Sequence, residues 1–209
     1  MKNSNLRYAA YISGSGSNIK KVVESNSNLS KKIKLIFSDN SNKAIKEMCN
    51  KNDIIYVEYD PSSKILFSDY MLRTFEKYNI DYCFSFGTKL LKGDILIKYK
   101  NRIINFHPSL LPHFPGFNAI DKAIESNVKI IGNTTHFIDE SIDGGPIILQ
   151  SVVHVEKFFE NGYESIIEEQ IVLMEKIDML LTTDRIHVEN GKVKIENANY
   201  FITQIYPDV

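Results

Sequence analysis

The chain has 209 residues, 43% of them hydrophobic, with 25 Lys+Arg set against 26 Asp+Glu for a formal net charge of -1. That suits one domain with a sizeable core and excludes a global basic field for holding nucleic acid. The two cysteines, Cys49 and Cys83, stand far apart without a Cys-x-x-Cys spacing, which argues against a disulfide framework or a zinc site and for reduced thiols in a cytoplasmic protein.

The first residues, Met1 to Arg7, carry no long apolar run after their charges, and the longest apolar runs of the chain are strand-sized. Neither a signal peptide nor a membrane span is expected. Tyr8 to Ile12 reads as a buried first strand, Ser13 to Ser17 as a turn, and Asn18 to Ser25 as a helix. Ile33 to Phe37 is a second strand, Asn42 to Asn50 a helix, and Ile54 to Tyr59 a third strand. Ser68 to Tyr78 is helical, with apolar residues at 71, 72, 75 and 78. Tyr82 to Phe86 and Ile103 to Phe106 are further strands, with a short helix around Ile95 to Tyr99 between them. This alternation predicts βαβ units: an α/β fold with an open, Rossmann-like, mostly parallel sheet and helices on both faces.

The second half changes character. Asn118 to Ser126 reads as a helix. Lys129 to Ile138 and Pro146 to Val155 are β-rich and pair across the 139–145 loop. Glu164 to Leu181 is the long C-terminal helix, and Ile186 to Ile195 is a β-hairpin turned at Asn190-Gly191. With no linker, repeat or low-complexity segment, residues 1–209 are expected to form one domain.

Two constellations carry chemistry. Ser13-Gly14-Ser15-Gly16-Ser17-Asn18 lies between a strand and a helix, where helix N–H groups and close backbone approach suit a phosphate. It is neither a Walker A loop nor a complete Gly-x-Gly-x-x-Gly, so a phosphate monoester fits better than a dinucleotide, and a capped turn with no ligand is the plain alternative. The second is Arg102-Ile-Ile-Asn-Phe-His-Pro-Ser-Leu-Leu-Pro112. Residues two apart on a strand share a face, so Asn105 and His107 project together where the strand stops. They pair a donor for an oxyanion with a proton-transfer group. Asp143, ahead of Gly144-Gly145-Pro146, offers a carboxylate to orient the imidazole and assist proton removal. No hydroxyl or thiol sits in a nucleophile motif, so the chemistry suggested is attack by a substrate's own amine on an acyl carbon. His136, inside a β segment, reads as a packed histidine or one that supports the site from behind. No metal site is expected, since His107, His113 and Asp143 lack the spacing of a zinc motif.

These segments resemble the folate-dependent glycinamide ribonucleotide formyltransferase family. The resemblance spans most of the chain: Ile12-Ser-Gly-Ser-Gly-Ser-Asn18, Ile104-Asn-Phe-His-Pro-Ser-Leu-Leu-Pro112 with Pro115-Gly116, Gly132-Asn-Thr-Thr-His-Phe-Ile-Asp139 and Ile142-Asp-Gly-Gly-Pro-Ile-Ile-Leu-Gln150. It implies formyl transfer from 10-formyltetrahydrofolate to a primary amine, with Asn105, His107 and Asp143 as the catalytic trio. Gly16, Ser17 and Asn18 match positions that hold the substrate's phosphate, and Glu175 falls near a glutamate that contacts the ribonucleotide. Thr88, Lys89, Leu90 and Leu91, together with Asn105 and the loop Asp139, Glu140, Ser141, Ile142 and Asp143, match the folate site. Residues 1–100 would then bind phosphate and amine substrate, and 101–209 would carry catalysis and folate. Two segments depart from the family pattern. Ser85-Phe-Gly-Thr-Lys-Leu-Leu91 stands where the family has Ala-Gly-(Phe/Tyr)-Met-Arg-Ile-Leu, so Lys89 replaces an arginine whose planar fork it does not reproduce. Glu175-Lys-Ile-Asp-Met-Leu180 lacks the family's histidine and proline. The implied acceptor is glycinamide ribonucleotide in purine synthesis; the runner-up is an amino sugar nucleotide. No nucleic acid or membrane partner is expected, and the protein is expected to be a monomer or weak homodimer. A non-catalytic folate-binding protein is the reading from a different class, and the complete trio argues against it.

Overall fold

The computed structural model describes residues 5–200; the segment Met1 to Ser4, read above for a signal peptide, lies outside them. Strands β1 (Tyr8–Ile12), β2 (Ile33–Ser38), β3 (Ile55–Glu58), β4 (Tyr82–Phe86), β5 (Ile103–His107), β6 (Ile130–Phe137) and β7 (Ile147–His154) form one seven-stranded sheet in the order β3-β2-β1-β4-β5-β6-β7. The pairings from β3 across to β5 are parallel, and β5–β6 and β6–β7 are antiparallel. Helices α1 (Ser17–Glu24), α2 (Lys43–Lys51), α3 (Phe67–Lys77), α4 (Asp94–Lys98), α5 (Ala119–Glu125), α6 (Val155–Asn161) and α7 (Tyr163–Thr182) connect or cover the strands. A separate hairpin, β8 (Ile186–Glu189) and β9 (Lys192–Ile195), follows.

All of β1 is buried, as expected of a parallel strand covered on both faces. Its alternate residues feed two cores. Tyr8, Ala10 and Ile12 pack with Ile19 and Val22 of α1, Ile45 of α2, and Met174 and Ile177 of α7. Ala9 and Tyr11 pack with Phe37, with Met71 and Phe75 of α3 and with Ile95 of α4. A third cluster joins α5, β6, β7 and Ile166 of α7. The helix spacing in α7 (Ile166, Gln170, Leu173, Met174, Ile177, Leu181) supplies its buried stripe.

The β1–β2–β3 run and the crossover to β4 leave β1 between β2 and β4. Strand order reverses there, and the crevice beyond the carboxyl ends of β1 and β4 is where such sheets bind ligands. The Asn190-Gly191 turn has both residues at positive φ (50° and 73°), the requirement of a type I′ hairpin. The sequence reading had no helix after Val155; the structure has α6, whose N-cap is His154, Nδ1 accepting from the Glu156 amide. Both cysteines are free and buried. Among the described residues no helix is long and apolar enough to cross a membrane.

Candidate active site

Asn105 and His107 lie on β5 at the end of the parallel half of the sheet, and the antiparallel register sets His136 of β6 directly opposite Asn105. Opposed residues on one face are in contact range, and Asn105 Nδ2 is 3.1 Å from His136 Nε2. Asp143 comes from the loop between β6 and β7. Its backbone is left-handed (φ 51°), and at Gly145 an added Cβ would lie 1.9 Å from the Phe137 carbonyl oxygen, so only glycine lets the loop close this tightly. The Phe137 amide donates to the Pro146 carbonyl at 3.0 Å and shuts the turn.

The carboxylate of Asp143 reaches three side chains. Oδ2 lies 3.4 Å from His107 Nδ1, and Oδ1 lies 3.6 Å from His136 Nε2 and 3.5 Å from Asn105 Nδ2. The Gly116 amide donates to Oδ2 at 2.8 Å. His136 beside it, then Gly116 and His107, hold the Asp143 carboxyl below the usual carboxylate range, against the opposing effect of burial. A backbone carbonyl can only accept, so the 3.0 Å contact of His107 Nε2 with the Phe114 carbonyl fixes a hydrogen on Nε2 and turns Nδ1 toward Asp143. The same logic puts a hydrogen on His136 Nδ1, which meets the Phe137 carbonyl at 3.0 Å. His136 Nε2 then accepts from Asn105 when the ring is neutral. His136 thus packs behind Asn105 and the Asp143 carboxylate, touching both, and it also lines the cavity.

The strand-to-helix loop is shaped from its far side. Asn40 Nδ2 donates to the Ser13 carbonyl at 2.9 Å, and Asn42 Nδ2 donates to the Gly14 and Ser15 carbonyls at 3.1 and 3.3 Å. In a trans peptide N–H and C=O point opposite ways, so the amides of residues 14 to 16 are turned away from these asparagines. Gly16 takes a positive φ of 67° and opens α1. Successive amides aimed one way at a helix N-terminus suit an anion.

Between these parts lies a cavity of about 1060 Å³, at or above the upper end of the usual ligand pocket of about 300–1,000 Å³. Asn105, His107, His136 and Asp143 share it with the 88–91 segment and the 139–142 loop. Leu90 and Ile142 stand exposed at its wall. Asn18 lines it; Gly16 and Ser17 lie just outside, at the start of α1. Lys89 leans over the Phe67 ring, its Nζ 5.8 Å from the centroid.

Glu175 is a correction. It sits on the exposed face of α7 and does not line the cavity. Gln170 does, and five residues along a helix turn the side chain by about 140° beyond a full revolution. Gln170 Nε2 donates to Asn133 Oδ1 at 2.9 Å, while its Oε1 accepts from Asn18 Nδ2. Phe114, Gly116 and Gln170 were missed in the sequence; the first two act through their backbone, and Gln170 fits the helical stripe that Ile166 and Leu173 define.

The formyl transferase family profile matches residues 6–176. The phosphoribosylglycinamide formyltransferase of Bacillus subtilis is 31% identical over 157 residues, covering 72% of this chain and 80% of that protein. The human trifunctional purine biosynthetic protein adenosine-3 is 33% identical over 165 residues, 72% of this chain but 16% of that longer protein. The crystal structure of glycinamide ribonucleotide transformylase 1 from Symbiobacterium toebii superposes with a TM-score of 0.82 at 29% identity, covering 92% of this chain and 94% of that one.

Proposed function

Because the chain belongs to the formyl transferase family, we propose that it transfers a formyl group from 10-formyltetrahydrofolate to the primary amine of glycinamide ribonucleotide in de novo purine synthesis. The observation that carries this is the meeting of Asn105, His107 and Asp143 in a cavity that has an apolar wall and reaches Asn18, at the start of α1 beside the amide-rich loop. Glycinamide ribonucleotide offers a phosphate monoester for the loop and an amine for the trio; an amino sugar nucleotide, with its diphosphate, is not favoured.

When bound, the folate supplies an electrophilic formyl carbon. A flat ring with a polar edge fits between Leu90 and Ile142 beside the backbone of the 88–91 and 139–142 segments, and residues 88 to 91, 105 and 139 to 143 are assigned to it. Ser17, Asn18 and the Gly16 turn hold the phosphate.

Asn105, one amide hydrogen of which meets His136 Nε2, turns the other from its long 3.5 Å contact with Asp143 to the oxygen that becomes negative as the amine adds to the carbonyl. Protonated His107 keeps Nε2–H on the Phe114 carbonyl and presents Nδ1–H to the same oxygen or to Asp143. Asp143, held ionised by its neighbours, takes the proton shed by the attacking nitrogen, directly or through a water; collapse of the tetrahedral intermediate then breaks the bond from the formyl carbon to the folate nitrogen, which takes up that proton and leaves as tetrahydrofolate. His136 accepts from the Asn105 amide when neutral and donates to the Asp143 carboxylate when protonated.

Residues 1–100 supply the phosphate loop and part of the folate wall, and residues 101–209 supply the trio. One chain supplies every group named, which supports a monomer or weak homodimer, and a pathway of small soluble metabolites supports a cytoplasmic location. The test is an acceptor panel: 10-formyltetrahydrofolate with either glycinamide ribonucleotide or a 4-amino sugar nucleotide, read by folate absorbance. Turnover with the ribonucleotide is expected; turnover with the sugar nucleotide alone would overturn the reading.

A further inference from the structure

The segment after β4 departs most from the family pattern, yet it is held at two successive amides. The paired register between β1 and β4 ends at Ile12 and Phe86, so residues 87 to 91 leave the sheet without backbone partners from it. The Thr88 amide donates to Ser13 Oγ at 2.8 Å, and the Lys89 amide donates to the Tyr11 hydroxyl at 3.2 Å. Both hydroxyls in turn donate to one oxygen, Asp39 Oδ2, at 2.8 and 2.9 Å. The direction of each bond is thereby set: a hydroxyl whose hydrogen is committed to a carboxylate turns its lone pairs to the amide. Asp39 is fixed through its other oxygen, which accepts from Asn40 Nδ2 at 2.9 Å.

Gly87 makes room for this arrangement. A Cβ there would lie 1.8 Å from Tyr11 Cε1, so the tyrosine ring lies flush against the segment's backbone. The ring fills the core on the α3 side, and Tyr11 is 1% exposed. The glycine that departs from the family's aromatic and the buried tyrosine of β1 are therefore one packing unit.

We propose that Tyr11, through Asp39 and together with Ser13, is a positioning residue for the formyl donor: it sets the backbone of Thr88 to Leu91 against which the folate ring binds. This rests on the assignment of that segment to the folate under the proposed function. Bonds to charged groups are the stronger kind, and each here ends on a buried carboxylate, so losing the Tyr11 hydroxyl loosens the donor's wall and leaves the trio and the phosphate loop in place, whereas losing Asp39 also frees Ser13 of that loop and Asn40, which braces it.

The test uses the full chain with Tyr11→Phe, which keeps the ring and removes the hydroxyl, and with Asp39→Ala. Tyr8→Phe is the control. It removes another buried tyrosine hydroxyl of the same strand, one bonded to Asp178 Oδ1 at 2.6 Å and contributing to the opposite core. Donor binding is read by calorimetry with 10-formyltetrahydrofolate alone, and KM for each substrate by turnover with glycinamide ribonucleotide. Tyr11→Phe is expected to raise the donor Kd and KM about tenfold, the equivalent of one buried hydrogen bond, with acceptor KM and kcat within twofold. Asp39→Ala is expected to do at least as much, and Tyr8→Phe to lower thermal stability with donor Kd unchanged. An unchanged donor Kd in Tyr11→Phe, or an equal rise in Tyr8→Phe, would overturn the proposal. If the wild type binds the donor but does not formylate glycinamide ribonucleotide, the functional reading fails, and the calorimetric comparison still decides the role of Tyr11.

Discussion

His107 Nδ1 stands 3.4 Å from Asp143 Oδ2, and that same oxygen accepts from the Gly116 amide at 2.8 Å. The turn that carries Gly116 also carries Phe114, whose carbonyl meets the other side of the His107 ring at 3.0 Å. One loop thus aligns both members of the pair, the imidazole by its tautomer and the carboxylate by its rotamer.

Asp143→Asn keeps the shape of the side chain and a partner for Gly116 but removes the base and its charge. General acid–base groups contribute about 10²–10⁴-fold, so kcat is expected to fall by about that factor while the fold is kept. Steady-state kinetics beside a circular dichroism spectrum check it.

Stability should also depend on Asp143 in acid. Its carboxyl is lowered in the folded chain, so it contributes stability that is fully present above its unfolded value, about 3.9, and is lost as pH falls through the lower folded value. The difference in Tm between the wild type and Asp143→Asn is expected to be constant near neutrality and to shrink below about pH 4. Thermal unfolding across a pH series measures it; a difference that grows in acid would reverse the sign.

Gln170 bridges β6 and the phosphate loop through Asn133 and Asn18. Gln170→Ala leaves Asn133 Oδ1 without its donor and Asn18 without its brace, at a cost of about 1–3 kcal/mol. We expect a raised KM for the phosphate-bearing acceptor and little change for the folate. Glu175→Ala, on the exposed face of α7, should change neither KM.

Asp178 accepts from Lys32 Nζ at 2.7 and 2.9 Å and from the Tyr8 hydroxyl at 2.6 Å, tying α7 to β1 and to the 3-10 turn Ser30–Lys32. Lys32 and Asp178 side chains are 15% and 11% exposed. Removing one partner of a buried pair strands the other, at about 3–5 kcal/mol. Asp178→Ala should therefore unfold at clearly lower denaturant, and pairing it with Lys32→Met should recover part of the loss.

Much of this was legible in the sequence because local rules and tertiary packing agree. The buried run Tyr8 to Ile12, the helix periods and Asn190-Gly191 state their elements outright, and the two-residue spacing of Asn105 and His107 places both on the face that Asp143 meets. Glu175 rested on a loose match to a family glutamate, whereas helical phase decides the facing, and phase turns Gln170 to the cavity. Helix α6 was missed because its cap is a histidine rather than one of the usual capping residues. The clamp from Phe114 and Gly116 was invisible for another reason: it is made by backbone groups, which carry no side-chain signature. The Tyr11–Gly87 fit joins a residue of β1 to one just past the end of β4, and only the adjacency of those two strands in the sheet reveals it.

Formyl transfer to an amine at the Asn105–His107–Asp143 site is tested most directly by the fate of the formyl carbon. With 10-formyltetrahydrofolate labelled with ¹³C in the formyl group and glycinamide ribonucleotide as acceptor, the label should appear in an N-formyl amide on the glycinamide nitrogen, and His107→Ala should slow its appearance by about 10²–10⁴-fold. Label released as free formate with the acceptor unchanged, or an unslowed His107→Ala, would contradict it.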